Sequence, residues 1–202
     1  MTFKRRGTRE RRAIAEQMVL DSARELLDEG VEFAELTVEQ IARRAGISRP
    51  AFYGHFVDKS ALLVRLAETV VEPAYIRADE ELSGLPSGPE HVYRALRSVV
   101  DPLVADVGTL RAVVRTATYD PVVRKEWRRM TSRLSSSVAT RIRQQQESDV
   151  ALPGDASRMA DVLVTTVVDT IGLHMADTDV NERDATSETL ALVWRRSIYG
   201  SA

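Results

Sequence analysis

The chain has 202 residues, of which 44% are hydrophobic and 29% charged, and its formal net charge is −2. This balance supports a buried core and excludes disorder along the whole length. The chain contains no cysteine, which excludes disulfides and thiolate metal sites and agrees with a reducing, cytoplasmic location. No apolar run approaches the roughly 18 residues of a membrane span, so no membrane contact is predicted.

Positive charge is concentrated at the start of the chain. Residues 1–12 hold six basic side chains and one acidic one, namely Lys4, Arg5, Arg6, Arg9, Arg11 and Arg12 against Glu10. The segment 1–12 is therefore predicted to be a basic, flexible N-terminal arm. Such an arm either stays in solvent or contacts phosphate groups, and both interpretations are open.

The spacing of apolar residues predicts helices from the N-terminus onward. A first helix is predicted over residues 10–29. Thr37 and Gln40 have the spacing of a capping box and open a second helix. Ser48 caps a short third helix, and Asp58 caps a long fourth one.

Helical patterns continue to the C-terminus. Pro73 is expected to kink or end the fourth helix, and Asp101-Pro102 to interrupt the fifth. A linker is predicted at residues 83–89. The remaining helices are predicted near residues 90–106, 108–117, 121–147, 155–176 and 184–199. The fold is predicted to be all-α with about nine helices.

Two short helices joined by a turn at Gly46, with a longer helix before them, have the pattern of a helix-turn-helix. In that motif the second short helix enters the major groove of DNA. On a helical wheel Phe52 and Phe56 share the core face, while Ala51 and Gly54 lie opposite. We predict that Gly54 faces the groove, where it allows close approach of the backbone or leaves room for a thymine methyl. The alternative is that this position makes no base contact.

The run TVEQIARRAGISRPAFYGHFVDKSALL, residues 37–63, resembles the DNA-binding domain of the TetR family of bacterial transcriptional repressors. The resemblance extends over about residues 10–66. It implies a helix-turn-helix domain over residues 10–57 and a ligand-binding and dimerisation domain over residues 58–202. It also implies a homodimer that binds a palindromic DNA operator.

The same resemblance implies which side chains meet DNA. Phosphate contacts are implied for Thr37, Tyr53 and Lys59, and base or groove contacts for Ser48, Arg49, Ala51 and Gly54. Gly54 departs from the family pattern, which usually has a large side chain at this position. No operator sequence can therefore be carried over from relatives.

The C-terminal half offers candidates for an effector site and a dimer interface. The helix predicted around residues 162–174 is apolar on more than one face, which fits either core packing or a pocket on one side and a partner subunit on the other. The run LALVWRRSIYG, together with Trp127 and Tyr93, resembles the ethionamide-resistance subgroup of the family, which implies a small, largely apolar effector. The candidate ligand-binding residues are Tyr93, Val100, Trp127, Met130, Thr166 and Thr170. The candidate dimer-interface residues are Val162, Leu190, Val193 and Ile198.

Other function classes have less support. The sequence shows no nucleophile–base arrangement, metal-ligand spacing or phosphate-binding loop, so no catalytic site, metal or cofactor is predicted. One alternative is a regulator of an efflux gene that senses cationic drugs, which Asp169 would favour if it faced the pocket. A lipid-binding protein without affinity for DNA is a further alternative.

Overall fold

The computed structural model describes residues 3–84, 88–175 and 178–200. Within these ranges the chain forms nine α-helices and no strand, which confirms the all-α prediction. The first four helices are α1 (Phe3–Asp28), α2 (Val38–Arg44), α3 (Arg49–Tyr53) and α4 (Lys59–Gly84). After a 3₁₀ turn at Pro89–His91 follow α5 (Val92–Ala105), α6 (Val107–Ala117), α7 (Pro121–Glu147), α8 (Ala156–His174) and α9 (Val180–Tyr199).

Helix α1 begins earlier than its hydrophobic pattern indicates. It starts at Phe3, so from that residue onward the segment predicted as a flexible arm forms the first turns of α1. Arg, Lys and Glu are good helix formers, and extending an existing helix needs no new nucleus. The prediction of an arm separate from the first helix is therefore wrong for residues 3–12. Residues 1–2 of the arm lie outside the described part of the chain.

Two prolines do not end their helices. Helix α4 continues past Pro73 to Gly84, and α5 continues past Pro102 to Ala105. Ala74 and Leu103, the residues that follow these prolines, are both fully buried. Tertiary packing therefore outweighs the roughly 3 kcal/mol that an interior proline costs a helix. Residues 85–87 of the predicted linker, and residue 176 at the predicted end of α8, are not among the described residues.

The three N-terminal helices share a small apolar core. Leu20 of α1, Leu36 before α2 and Ile41 of α2 are buried together with Phe52 and Phe56. The two phenylalanine rings lie with their centroids 5.6 Å apart. The predicted core face of α3 is confirmed.

The turn between α2 and α3 depends on Gly46. Its φ of +69° lies in the left-handed region that favours glycine. The N–H of Ile47 donates to the carbonyl of Ala42 at 3.0 Å, and the N–H of Gly46 donates to the carbonyl of Arg43 at 3.2 Å. These bonds end α2 in a Schellman motif and direct the chain into α3.

The remaining helices pack around α4, which links the helix-turn-helix to the rest of the chain. Helix α4 contacts α1 as well as α5, α6 and α7. Helix α8 packs against α6 and α7, and α9 packs against α5 and α8. The predicted domain boundary at residues 57 and 58 falls just before α4. No helix within the described ranges is long and apolar enough to cross a membrane.

Candidate nucleic-acid interface

Helix α3 presents its polar side to solvent. Ser48 is its N-cap, and the Ser48 hydroxyl accepts a hydrogen bond from the N–H of Ala51 at 3.3 Å. Ser48, Arg49, Ala51 and Tyr53 are exposed, whereas Phe52 on the opposite side has no exposed surface. The short helix is thus anchored by one aromatic side chain and free to contact a ligand along its outer side.

Arg49 and Tyr53 form a pair on this outer side. The guanidinium carbon of Arg49 lies 5.9 Å from the centroid of the Tyr53 ring, as the i, i+4 spacing allows. A hydrogen bond with the Tyr53 hydroxyl raises the pKa of Arg49, which stays charged. The pair places a fixed positive charge and a phenol side by side, a combination suited to phosphate and base contacts.

Gly54 is the C-cap of α3 and is exposed. Its φ of −73° and ψ of −18° are ordinary right-handed values, so the backbone does not require glycine here. A Cβ at this position would meet only the carbonyl group of Ala51, with its oxygen at 3.1 Å. The Gly54 carbonyl accepts a hydrogen bond from Nη2 of Arg12 at 3.2 Å, so α1 braces the end of α3. A groove contact by Gly54 stays a prediction.

Thr37 begins α2 as the sequence predicts. Its hydroxyl accepts from the N–H of Gln40 at 3.2 Å and donates to the Gln40 amide oxygen at 2.7 Å, while its own N–H donates to that oxygen at 2.8 Å. The capping box is confirmed. Thr37 is exposed, and its contact with a phosphate stays a prediction.

Lys59 points away from the outer surface of α3. Its ammonium donates to the carbonyls of Phe33 at 2.8 Å, Ala34 at 3.2 Å and Leu36 at 2.7 Å. It also lies 4.7 Å from the centroid of the Phe33 ring, and burial lowers the pKa of Lys59. An ammonium has three protons, and all three are directed at the loop between α1 and α2. In this geometry Lys59 holds that loop on the start of α4, and its contact with a phosphate stays a prediction.

Contacts that the sequence did not reveal attach the helix-turn-helix to the C-terminal helices. The Arg24 guanidinium of α1 lies 3.0 Å from a carboxylate oxygen of Asp106, which precedes α6. The Ser60 hydroxyl of α4 donates to Asp120, the N-cap of α7, at 2.6 Å, and this hydrogen bond lowers the pKa of Asp120. Arg24 and Asp106 are 82 positions apart in the chain, and Ser60 and Asp120 are 60 positions apart. A local sequence pattern therefore could not predict either contact.

Each cavity given by the described residues is lined by at most one of the predicted ligand-binding residues. Met130 lines a groove between α4 and α7, while Val100 and Trp127 are buried in the core. Tyr93 lines a separate surface pocket between α5 and α9. Thr170 is half-buried and lines none of the cavities described here.

Thr166 requires a correction. It is exposed on α8, and its hydroxyl donates to the carbonyl of Val162 at 2.8 Å. The threonines among the aliphatic residues of α8 suggested a pocket, but this one belongs to the outer stripe of the helix. Thr166 therefore lies on the surface and not in a pocket.

The predicted dimer residues divide into two groups. Val162 and Val193 have 65% and 44% of their surface exposed, as residues of an uncovered interface would. Leu190 and Ile198 are only 5% and 4% exposed, because they pack inside the protomer. Their assignment to a dimer interface is wrong, since α9 carries apolar residues on both of its sides and the inner side is already covered.

Two further cavities lie close to α7. A slot of about 60 Å³ between α5, α7 and α9 includes Val138, Ile142 and Trp194 in its wall, and a smaller cavity of about 30 Å³ continues from Trp194 toward α8. Asp169, the candidate for binding a cation, lines neither of these nor the groove between α4 and α7. Among the described residues, no group of three acidic or histidine side chains is placed to hold a metal ion.

Residues 19–66 match the family model for bacterial regulatory proteins of the tetR family, and this range covers the end of α1, all of α2 and α3 and the start of α4. This N-terminal part of the chain is a domain of the tetR family. The chain is a DNA-binding transcriptional regulator of the helix-turn-helix type.

Similarity to relatives of the family extends beyond this domain. The chain is 28% identical over 194 residues to the HTH-type transcriptional regulator EthR of Mycolicibacterium smegmatis, and the match covers 92% of this chain and 87% of the relative. This similarity agrees with the subgroup that the C-terminal run indicates.

Solved structures of transcriptional regulators share the fold along most of the chain. The transcriptional regulator FadR of Bacillus subtilis, in complex with stearoyl-CoA, matches with a TM-score of 0.73 at 16% identity, over 91% of this chain and 99% of that one. A regulator from Saccharomonospora viridis, in complex with choline, matches with a TM-score of 0.70 at 21% identity, over 91% and 97%. These neighbours support the arrangement of the C-terminal helices as well as the helix-turn-helix.

Proposed function

We propose that this tetR-family regulator is a repressor that binds a palindromic operator as a homodimer and is released by a small, largely apolar effector. The observation that carries the proposal is α3, which is anchored by Phe52 and exposes Ser48, Arg49 and Tyr53 on one side. A helix of this kind fits the major groove of DNA. Phosphate contacts then supply affinity, and base contacts supply sequence preference.

The proposed dimer uses the outer sides of α8 and α9. Val162 and Leu173 on α8, and Leu192 and Val193 on α9, are large apolar side chains exposed in the protomer. The two helices pack against each other, so two copies related by a two-fold axis would form a four-helix interface. Binding to successive major grooves of a palindromic operator requires the two copies of α3 in the dimer to lie about one DNA turn, roughly 34–36 Å, apart.

The effector is proposed to act through the C-terminal helices. The FadR and Saccharomonospora relatives were solved with stearoyl-CoA and choline, so the shared fold accommodates small molecules. A ligand that favours a different spacing of the two α3 helices lowers operator affinity by its coupling free energy, typically about 1–3 kcal/mol. A regulator that senses cationic compounds is the alternative, and calorimetric titration of the full-length protein with neutral and with cationic compounds separates the two.

Operator binding is expected to depend strongly on salt. Affinity for DNA upstream of the protein's own gene is measured by fluorescence anisotropy between about 50 and 200 mM salt. Arg49→Ala should flatten the slope of log K against log salt by about 2 per dimer if Arg49 contacts a phosphate in each half-site. If Arg49 instead contacts a base, Arg49→Ala should weaken the free energy of operator binding by about 1–3 kcal/mol and reduce the preference for the operator sequence.

The matched control for this experiment is Arg128→Ala, which removes an exposed arginine of α7 far along the chain from the helix-turn-helix. It should leave both the salt slope and the sequence preference unchanged. An affinity that hardly changes with salt would contradict the proposed function. So would equal binding to operator and random DNA.

A charge placed at Val193, on the exposed outer side of α9, should convert the proposed dimer into monomers. Val193→Glu introduces a carboxylate that would be buried without a partner in a symmetric interface. We expect a monomer by size-exclusion chromatography with light scattering, and operator affinity about 100-fold weaker because the second half-site no longer binds in concert. Val122→Glu, at an exposed valine of α7, is the control and should stay dimeric. Unchanged dimerisation of Val193→Glu would place the interface elsewhere.

A further inference from the structure

Positive charge is divided unevenly between the start of α1 and the rest of the chain. Residues 1–12 carry a formal net charge of +5, and the whole chain carries −2, so residues 13–202 carry −7. DNA phosphates repel an acidic protein body, although attraction to phosphates supplies a large share of affinity in protein–DNA complexes. Cations close to the helix-turn-helix must therefore offset this repulsion.

The helix-turn-helix itself offers few cations to DNA. Residues 37–59 contain four basic side chains, namely Arg43, Arg44, Arg49 and Lys59. Arg44 is paired with Glu29 at 2.8 Å, and the Lys59 ammonium donates to the loop between α1 and α2. The other two are exposed, which gives four cations per dimer. Proteins whose DNA binding depends strongly on salt neutralise about six to ten phosphates, so a further source of positive charge is needed.

Helix α1 passes the C-terminal end of α3, and a hydrogen bond joins the two helices there. Nη2 of Arg12 donates to the carbonyl of Gly54 at 3.2 Å. Both residues are exposed. A guanidinium has five N–H donors, so an arginine that gives one to a carbonyl has others for a phosphate. Arg12 thus holds a positive charge beside the outer side of α3.

The register of α1 places two more arginine positions on the same face as Arg12. Because α1 is helical from Phe3 onward, positions 5 and 9, which are seven and three residues before Arg12, share its face. Arg5, Arg9 and Arg12 are called the arginine stripe below. The stripe extends about 10 Å along α1, at about 1.5 Å per residue. One DNA strand presents about three phosphates over that length of its axis.

We propose that the arginine stripe binds DNA phosphates next to the major groove that α3 enters. Three arginines per protomer supply six contacts per dimer, enough to make affinity strongly salt-dependent. This inference rests on the proposed function and deepens it, because it identifies a second DNA-binding surface outside residues 19–66, the part that matches the family model. The stripe contributes affinity and not sequence preference, since phosphates carry no sequence information.

The test removes two charges of the stripe and keeps the hydrogen bond between Arg12 and Gly54. Glutamine is a good helix former, so Arg5→Gln/Arg9→Gln should keep the melting temperature of the unaltered protein by circular dichroism. Fluorescence anisotropy between about 50 and 200 mM salt gives its affinity for the operator and for random DNA of the same length. Each phosphate contact contributes about 0.9 to the slope of log K against log salt, so the slope should fall by about 3.6 per dimer. Affinity for random DNA should fall by a similar factor, which leaves the preference for the operator unchanged.

Lys125→Gln/Arg128→Gln is the matched control, because it removes two exposed positive charges from α7, and it should leave the slope unchanged. The inference is overturned if Arg5→Gln/Arg9→Gln keeps the slope of the unaltered protein. It is also overturned if this variant loses affinity for the operator alone, since the arginines would then contact bases. The proposed function is judged separately, from the preference of the unaltered protein for operator over random DNA. A retained preference with an unchanged slope therefore rejects only the role of the arginine stripe.

Discussion

Replacing Gly108 with alanine should move the helix-turn-helix relative to the C-terminal helices and weaken operator binding. Gly108 is buried in the first turn of α6, where it faces the end of α1. A Cβ at this position would lie 3.0 Å from the carbonyl oxygen of Leu27 and 2.6 Å from a carboxylate oxygen of Asp28. The Asp28 side chain can swing away, but the Leu27 carbonyl is part of the backbone. The last turn of α1 must therefore shift.

Overpacking of this kind typically costs about 1–3 kcal/mol of folding free energy. Since α1 belongs to the helix-turn-helix, the same shift should alter the spacing of the two α3 helices in the dimer. We expect operator affinity of the folded Gly108→Ala protein to fall by about fivefold or more, the lower end of a typical coupling between sites. Denaturation with urea gives the stability, and anisotropy with the operator gives the affinity.

Gly172→Ala is a matched control on the opposite side of α6. A Cβ at Gly172 of α8 would meet side-chain atoms, Cγ2 of Val114 at 3.1 Å and Cγ of Leu110 at 3.4 Å. These side chains can repack, and α8 is not part of the helix-turn-helix. The control should lose some stability and keep its operator affinity. If both variants bind the operator equally well, the contact between α1 and α6 does not set the position of α3.

Local features of the fold could be predicted from the sequence because each depends on residues a few positions apart. The capping box of Thr37, the cap at Ser48 and the core face formed by Phe52 and Phe56 all have a spacing that fixes their geometry. The resemblance of residues 37–63 to a known domain adds the helix-turn-helix arrangement. These features account for most of the candidate interface.

The remaining features depend on contacts between distant parts of the chain. The wheel of α9 shows apolar residues on two sides, and only packing on α5 reveals that Leu190 is inside and Val193 outside. Helix α4 runs through Pro73 because its neighbours hold it, which a local rule for proline does not include. Lys59 follows an N-cap and looks available to an anion, but the loop that accepts its protons lies more than twenty residues earlier.

Removing the charge of Lys59 should therefore affect stability more than it affects electrostatic attraction to DNA. In Lys59→Met the carbonyls of Phe33, Ala34 and Leu36 lose their common donor, and the loop between α1 and α2 is no longer fixed to the start of α4. We expect a loss of about 2 kcal/mol, in the range for charged hydrogen bonds whose partners are left unpaired. Urea denaturation measures this loss. Operator affinity should fall because α2 and α3 are less well positioned.

The salt dependence of operator binding distinguishes this role from a phosphate contact. A lysine that neutralises one phosphate in each half-site contributes about 1.8 to the slope of log K against log salt, whereas a lysine that only positions the loop contributes nothing. Lys59→Met should thus bind more weakly at every salt concentration with an unchanged slope. Lys125→Met removes the same charge from an exposed position on α7 and should change neither stability nor slope. A flatter slope with full stability in Lys59→Met would restore the phosphate contact and exclude the positioning role.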